Sequence, residues 1–420
     1  MPEKKDRLPA IIQNPEELVF NSCYAPFDVR DYLQSAETRS RIRRLPAVQL
    51  FYSLKELDQE EMALLLPQVT EEQWAAFLDL DLWEKDMLNT NALLYWESFI
   101  TETEDPVGRK LLRATDPELL QLLFRKELHI IPRVEDDEFE AEPPADRNTF
   151  ITPDNYYLVV LPDDPEKSRL IYTFIRHLYH LDAEYAAICL ENSRYETSIG
   201  LEETAYQNRC LRTEDYGFQD YFDALSIYTP LSPESPLPEK EGYSSQEESG
   251  FPVPVTLKGE SSHIFIEAMA TLSIQEEIQD LLQEIFFVCN KVISADRISP
   301  GEPENIRDAI SKTMNGINLG LDIWSGGDLG RAAEGIMKHY LSSFFQIGYG
   351  AVLKVGKAAA AAVGQQPGSY GEAVLEGLKD PYPLYTESEE KDGKIRFRHR
   401  RFRTASEIED TMRLLEKLRG

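Results

Sequence analysis

Cysteine and histidine are scarce in this 420-residue chain, with four of the one and six of the other. Cys23, Cys189, Cys210 and Cys289 show no CxxC pair and no regular spacing. That argues against a zinc knuckle or a disulfide framework and predicts buried thiols in a reducing cytoplasm. Long apolar runs are missing too. In the stretch from Met1 to Gln13 the only apolar run, Leu8 to Ile12, is broken by Pro9, so the core of a secretory signal is lacking. Leu341 to Leu353 contains Ser342, Ser343 and Gln346, well short of the roughly 20 uninterrupted residues of a spanning helix, and no membrane insertion is expected. Catalytic signatures are absent as well: there is no GxSxG turn and no Cys in a signature context. The Gly-rich stretch Gly316 to Gly335 has neither GxxxxGK[ST] nor GxGxxG after a strand, so the sequence names no cofactor.

Positive charge is the other shortage. Against 74 Asp and Glu stand 44 Lys and Arg, a formal charge of -30, and a field of that sign repels nucleic acid backbones and anionic membranes. What is present, 42% hydrophobic and 28% charged residues, is the composition of a folding globular chain.

Helix punctuation dominates from Leu45 to about Lys126. Asp58 precedes Glu61, Met62 and Leu64 to Leu66; Thr70 and Gln73 form a capping box before Trp74, Phe77 and Leu78; Asp116, Pro117 and Glu118 open a helix carrying Leu119, Leu120, Leu122, Leu123 and Phe124. Helices this short bury their stripes only by stacking on neighbours, so a solenoid-like bundle is predicted over 1–132. An acidic linker is predicted over 133–147, where Val134 to Glu142 reads VEDDEFEAE ahead of Pro143 and Pro144. A small hairpin over Phe150 to Leu161 and helices near 165–181, 183–192, 199–212 and 217–227 make a second module, 148–228. A Pro-, Ser- and Glu-rich linker, 229–258, separates it from a C-terminal helical module, 259–420, that carries a basic segment. In that module Asp328 is placed to cap a helix. The fold class is mainly α, multi-module and helical, with one β-hairpin, and Trp74, Trp83, Trp96 and Trp324 are expected in cores.

Three groups of residues are candidate sites. His177, His180 and Glu184, at i, i+3 and i+7, share one flank of a continuous helix, with Glu191 two turns on; two imidazoles and a carboxylate suit a transition metal with open positions. Asp182 competes with that reading as the cap of a new helix. Glu202, Glu203, Tyr206 and Arg209 make a polar helical face, functional or merely ion-paired. Lys394, Arg396, Arg398, Arg400, Arg401 and Arg403 alternate with Ile395, Phe397 and Phe402, an extended strip suited to phosphates and bases; on a chain of charge -30 it is expected instead to pair with the chain's own acids, Val134 to Glu142 being one choice.

Leu-Leu-Pro followed by Thr-Glu-Glu-Gln-Trp resembles the cytosolic helical-repeat domain of the MgtE magnesium transporters over about Leu57 to Leu80. LLPQVTEEQWAAFLDLDLWEKD, GFQDYFDALSIY, and LGLDIWSGGDLGRAAE with SSFFQIGYGAVLK together resemble an uncharacterised bacterial family catalogued only as a domain of unknown function, from about Leu45 to Leu418. That resemblance implies a cytoplasmic bacterial protein and brings no activity with it. The expectation is a cytoplasmic interaction or regulatory protein with a protein partner. A metal-dependent enzyme using His177, His180 and Glu184 is the alternative, and nucleic-acid binding through the basic strip is a second one.

Overall fold

The computed structural model describes residues 15–419 apart from 56, 135–137, 143–145, 241–262, 273–274, 362–367 and 392–393. The protein is mainly α, with a few small antiparallel sheets. Two compact units emerge: one of Phe27–Phe218 with Arg297–Pro303, the other of Met1–Pro26, Gln219–Asp296 and Glu304–Gly420. Residues 27–132 of the expected first module and 148–218 of the expected second thus fall in the first unit, and Met1–Pro26 in the other.

Capping builds the first unit's short helices. The Asp58 carboxylate accepts from the Glu61 amide at 2.9 Å while Glu61 accepts from the Asp58 amide at 3.1 Å, opening the Gln59–Leu65 helix. Thr70 and Gln73 do the same for Glu71–Asp81, and the Gln73 amide then donates to the Ile42 and Leu45 carbonyls at 2.9 and 2.7 Å, tying one helix start to the preceding turn. At the centre lies Pro117–Glu127, in which Leu119 to Phe124 are all buried. Against it pack Ala183–Tyr195 and Ser198–Glu214. Each buried Leu or Phe contributes about 1.5–3 kcal/mol of transfer free energy, so a helix buried on every side organises its neighbours. Trp74, Trp83 and Trp96 are buried here.

The hairpin predicted over Phe150 to Leu161 forms from Thr149–Ile151 and Tyr157–Val160, with Phe150 opposite Val159. It is not a lone hairpin: His129–Pro132 pairs with the other edge of Tyr157–Val160, giving a three-stranded sheet. Ribbons of Trp83–Glu84 with Met87–Leu88, and of Tyr385–Lys391 with Lys394–Arg400, add to it. The Tyr385–Lys391 strand, YTESEEK, has almost no apolar side chain to show a period of two, which is why pattern reading passed over it. The helix expected over 217–227 is split. Gly217 turns the chain at φ +81, Asp220 caps a single turn at Tyr221–Ala224, and a 3-10 turn, Leu225–Tyr228, follows.

In the second unit the Pro303–Ser325 helix is buried at every position from Lys312 to Leu321. It meets the Leu341–Ala360 helix through glycine: a Cβ on Gly320 would collide with the Phe344 carbonyl, and one on Gly348 with that of Gly316. Beside this crossing the Lys312 ammonium sits 2.6 Å from Asp296, and 4.7 and 4.6 Å from the ring centroids of Tyr228 and Tyr382. Asp328 caps Leu329–Lys338 through the Arg331 amide, as predicted, and half-buried Trp324 packs on His339 and Phe344. Of the predicted linker 229–258, residues 241–258 lie outside the described residues, whereas 229–240 is held to its unit. Pro230 lies against Gly350 and Lys240 is 2.6 Å from Glu284. No helix among the described residues is long and apolar enough to cross a membrane.

Gly320→Ala is expected to cost about 3 kcal/mol, because two backbones must separate to admit one methyl group. Gly368→Ala, whose Cβ would meet nothing within 4 Å, is the neutral control. Urea unfolding of the two variants beside the native chain measures the difference.

Candidate functional site

The buried stripe of the Glu71–Asp81 helix holds Trp74, Phe77, Leu78 and Leu80, and among them stands Asp79, only 2% exposed. A carboxylate cannot be left there uncompensated. The Ser198–Glu214 helix supplies the compensation: Arg212 grips both Asp79 oxygens at 2.7 Å, and Arg209 donates to the Asp79 carbonyl at 2.7 Å. Hydrogen bonding to Asp79 holds the Arg212 guanidinium above its usual range. Its remaining arm reaches Asp116 at 3.1 Å.

Asp116 caps the central helix, and Glu118 lies in that helix's first turn. The Glu118 carboxyl is pushed up to about 7, first by its hydrogen bond to Asp116 and then by burial, so it is the member of the pair that carries a proton. Burial works to raise Asp116, but Glu118 and Arg212 together hold it low.

Glu97, on the Thr90–Glu102 helix, is fully buried, and neither of its carboxyl oxygens has a hydrogen-bond partner among the described residues. Burial pushes it up to about 8. Tyr185 and Cys189, beside it on the Ala183–Tyr195 helix, hydrogen-bond one another, and burial keeps both protonated, the thiol pushed up to about 12. A pocket of about 170 Å³ opens on Tyr185, lined also by Arg109, Leu112, Arg113 and Asp182. Asp182 is committed to capping the Tyr185 amide at 3.1 Å, and Arg109 donates to the Leu181 carbonyl. A thiol and a phenol held protonated are poor nucleophiles. The chemistry of this interior is therefore that of neutral, hydrogen-bonded packing.

The His177, His180 and Glu184 trio is not brought together. The helix of the two histidines, Pro165–Leu181, ends before Asp182, which starts a new one, so Glu184 is not one turn further along the same flank but exposed at the start of the next helix. His177 and His180 lie 5.9 Å apart by ring centroid; His180 Nε2 is 2.9 Å from Asp105, and His177 Nε2 is buried with no hydrogen-bond partner among the described residues. Burial, then His180, lowers the His177 pKa. Glu191 accepts from the Tyr157 hydroxyl at 2.6 Å and from Arg194 at 3.0 Å. Among the described residues no three of His, Cys, Asp and Glu form a group that could hold a metal.

The polar face of Glu202, Glu203, Tyr206 and Arg209 divides. Glu202 accepts from Lys126 at 2.5 Å and from the Leu88 amide at 2.7 Å; Tyr206 packs on Trp83 at 5.6 Å; Arg209 lies over both rings. Glu203 is exposed and accepts from Gln207 at 2.6 Å. In the other unit the basic strip is paired in register with acids, Arg396 opposite Glu389 and Arg398 opposite Glu387. Arg400 binds Glu387 and Glu407 at 2.5 and 2.6 Å, Arg401 lies 3.6 Å from Asp308, and Arg403 donates to Asn315 at 3.2 Å. Lys394 takes its place in the same ladder, opposite Lys391. The strip's acids thus include those of its own hairpin and of the helix that follows.

Sequence reasoning missed Asp79, Glu97 and Arg212. The signal for Asp79 was present: FLDLDLW sets a carboxylate inside an apolar helical stripe, a position that demands a cation. Nothing comparable marks Arg212, whose role depends on a helix more than a hundred residues away in the chain.

The chain belongs to a family: the family model described as "Family of unknown function (DUF6178)" matches residues 30–420. No curated protein and no solved structure matches the chain.

The Glu97 carboxyl ionises near 4.5 ordinarily and near 8 in the fold. Between those values the folded chain keeps a proton that the unfolded chain releases, so the stability this group permits is full below about pH 4.5 and falls as pH rises to about 8. The whole loss is on the order of 4 kcal/mol. Glu97→Met is expected to stabilise the protein clearly at pH 8 and much less at pH 5, as read from denaturant unfolding at both; an equal gain at both would mean packing rather than charge.

Proposed function

We propose that this is a cytoplasmic bacterial interaction protein whose 27–218 unit docks a basic, amphipathic helix of a partner protein. One observation carries the reading. Across residues 183–215, on the two helices packed against the buried Pro117–Glu127, the exposed positions include Ile188, Tyr195, Ile199 and Leu211, at 48%, 72%, 80% and 70% exposure. Between them the exposed charges are Glu184, Glu196, Glu203, Glu214 and Asp215, and no exposed Lys or Arg stands among them. Large apolar side chains interleaved with one sign of charge are the complement of a helix with an apolar stripe and lysine or arginine flanks. Each apolar group, once covered, adds about 1.5–3 kcal/mol before the costs of association.

The enzyme alternative finds less support. The metal trio is separated by a helix break, and the thiol and phenol of the buried cluster stay protonated. Nucleic-acid binding through the strip is disfavoured by the acids set opposite Arg396 and Arg398.

A synthetic leucine–lysine helix of about 18 residues, five turns, serves as the probe in fluorescence anisotropy. Binding that weakens with salt is expected, with a loss of about tenfold or more, some 1.4 kcal/mol, in the Ile199→Ser/Leu211→Ser variant at unchanged helicity. Absent binding, or binding indifferent to both substitutions, overturns the proposal.

A further inference from the structure

In the second unit a cavity of about 390 Å³ lies between the Ser369–Gly377 helix, the strand Tyr385–Lys391 and the C-terminal helix Ala405–Arg419. Its volume falls within the range of small-molecule sites. Two phenol rings line it, Tyr370, 39% exposed, and Tyr385, with Val374 and Leu414 completing an apolar wall. Both rings are braced from behind: Tyr370 packs on Phe397 at 5.7 Å and Tyr385 on Phe402 at 5.5 Å. A ring fixed in this way is a stacking platform that loses little side-chain freedom when a ligand binds.

The opposite wall is one face of the C-terminal helix. Asp410, Arg413 and Lys417 project from it at i, i+3 and i+7, while the Thr386 hydroxyl on the strand is buried against His399 at 3.1 Å. Arg413 pairs with Asp410 at 2.6 Å, while Lys417 is exposed and has no acidic partner among the described residues. In a chain of charge -30, an uncompensated cation beside a lined cavity runs against the general trend of the surface. Arg400, 4.7 Å from the Tyr385 ring centroid, is already held by Glu387 and Glu407 and leaves the anion-facing role to Arg413 and Lys417.

From this arrangement we infer that the cavity binds a mononucleotide, the base on the half-exposed Tyr370 ring and the phosphate against Arg413 and Lys417, with Asp410 free to accept from sugar hydroxyls once Arg413 turns to the phosphate. Stacking tolerates any base and phosphate–guanidinium contacts are charge-assisted, so the class is fixed more firmly than the base. The site lies apart from the acidic helical face and does not rest on it.

Calorimetric titration of the full chain with AMP, GMP, CMP and UMP, and with inorganic phosphate alone, tests the inference. At least one mononucleotide should saturate below about 1 mM, equivalent to about 4 kcal/mol, with phosphate alone much weaker. Arg413→Glu/Lys417→Glu, at exposed positions, should weaken binding by about tenfold or more. Tyr370→Ala should weaken it several-fold, and Tyr370→Phe should restore it. No saturation by any of the four, equal binding of bare phosphate, or affinity unchanged in the charge-reversed variant each overturns the proposal.

Discussion

The Asp79 carboxylate sits where a leucine would be expected, and the 27–218 unit is arranged around that fact. Taking the carboxylate out of water costs several kcal/mol unless a cation with matching geometry follows it. Arg212 follows it, with both fork nitrogens at 2.7 Å. Because Arg212 and Arg209 sit three positions apart on one helix, the two contacts fix both the position and the rotation of Ser198–Glu214. Its inner face is thereby assigned to Asp79, Trp83 and Lys126, and its outer face, with Ile199, Glu203 and Leu211, is left to solvent. A hydrophobic isostere at Asp79 would fill the space as well, but would not specify the rotation. The buried pair ties Ser198–Glu214 to Glu71–Asp81 in this one register.

Glu97 and Lys312 show two outcomes of the same problem. Lys312 is buried with Asp296 at 2.6 Å and tyrosine rings around its ammonium, so the charge is retained at modest cost. Glu97 is buried with no hydrogen-bond partner for either oxygen among the described residues and meets the constraint by staying protonated. Burial works to lower the Lys312 pKa and the Asp296 carboxylate works to raise it, whereas on Glu97 burial acts alone. In the unit that holds Glu97, Glu118 of the Asp116 pair is likewise pushed up, to about 7.

Local signals in the sequence were reliable wherever the physics is local. Capping at Asp58, Thr70, Asp116 and Asp328 was legible because the cap and the amide it serves are within three residues of each other. The hairpin at Thr149–Val160 was legible from its turn, but its third strand, His129–Pro132, was not, because pairing across an intervening acidic segment leaves no mark in either strand. The flank of His177, His180 and Glu184 required an unbroken helix, and the same Asp182 that reads as a cap broke it. The polar face at Glu202 to Arg209 was seen as a surface. Its inner half is an interface, which a single sequence cannot separate from a solvated face when both carry charged residues. The basic strip was expected to find acids in its own chain, and the register places Glu387 and Glu389 across from it within a few residues of the turn.

The formal charge of -30 is the sum over the whole chain, but the two signs are not distributed alike. Arg209, Arg212, Lys126, Lys167, Lys312, Arg400 and Arg401 all bind acids or carbonyls at positions that are at least partly buried. Cations drawn inward in this way neutralise buried carboxylates and leave outer faces such as 183–215 with acids and no counterpart. Such a face repels its like and attracts cationic partners, with a strength that salt screens over a distance of about 10 Å. The cavity edged by Arg413 and Lys417 is the converse case: two cations left outward on a helix whose inner face Thr411 and Leu415 already fill. Of these two cations Arg413 is shared with Asp410 at 2.6 Å and Lys417 meets no acid among the described residues, and a ligand's phosphate is the group that would engage both.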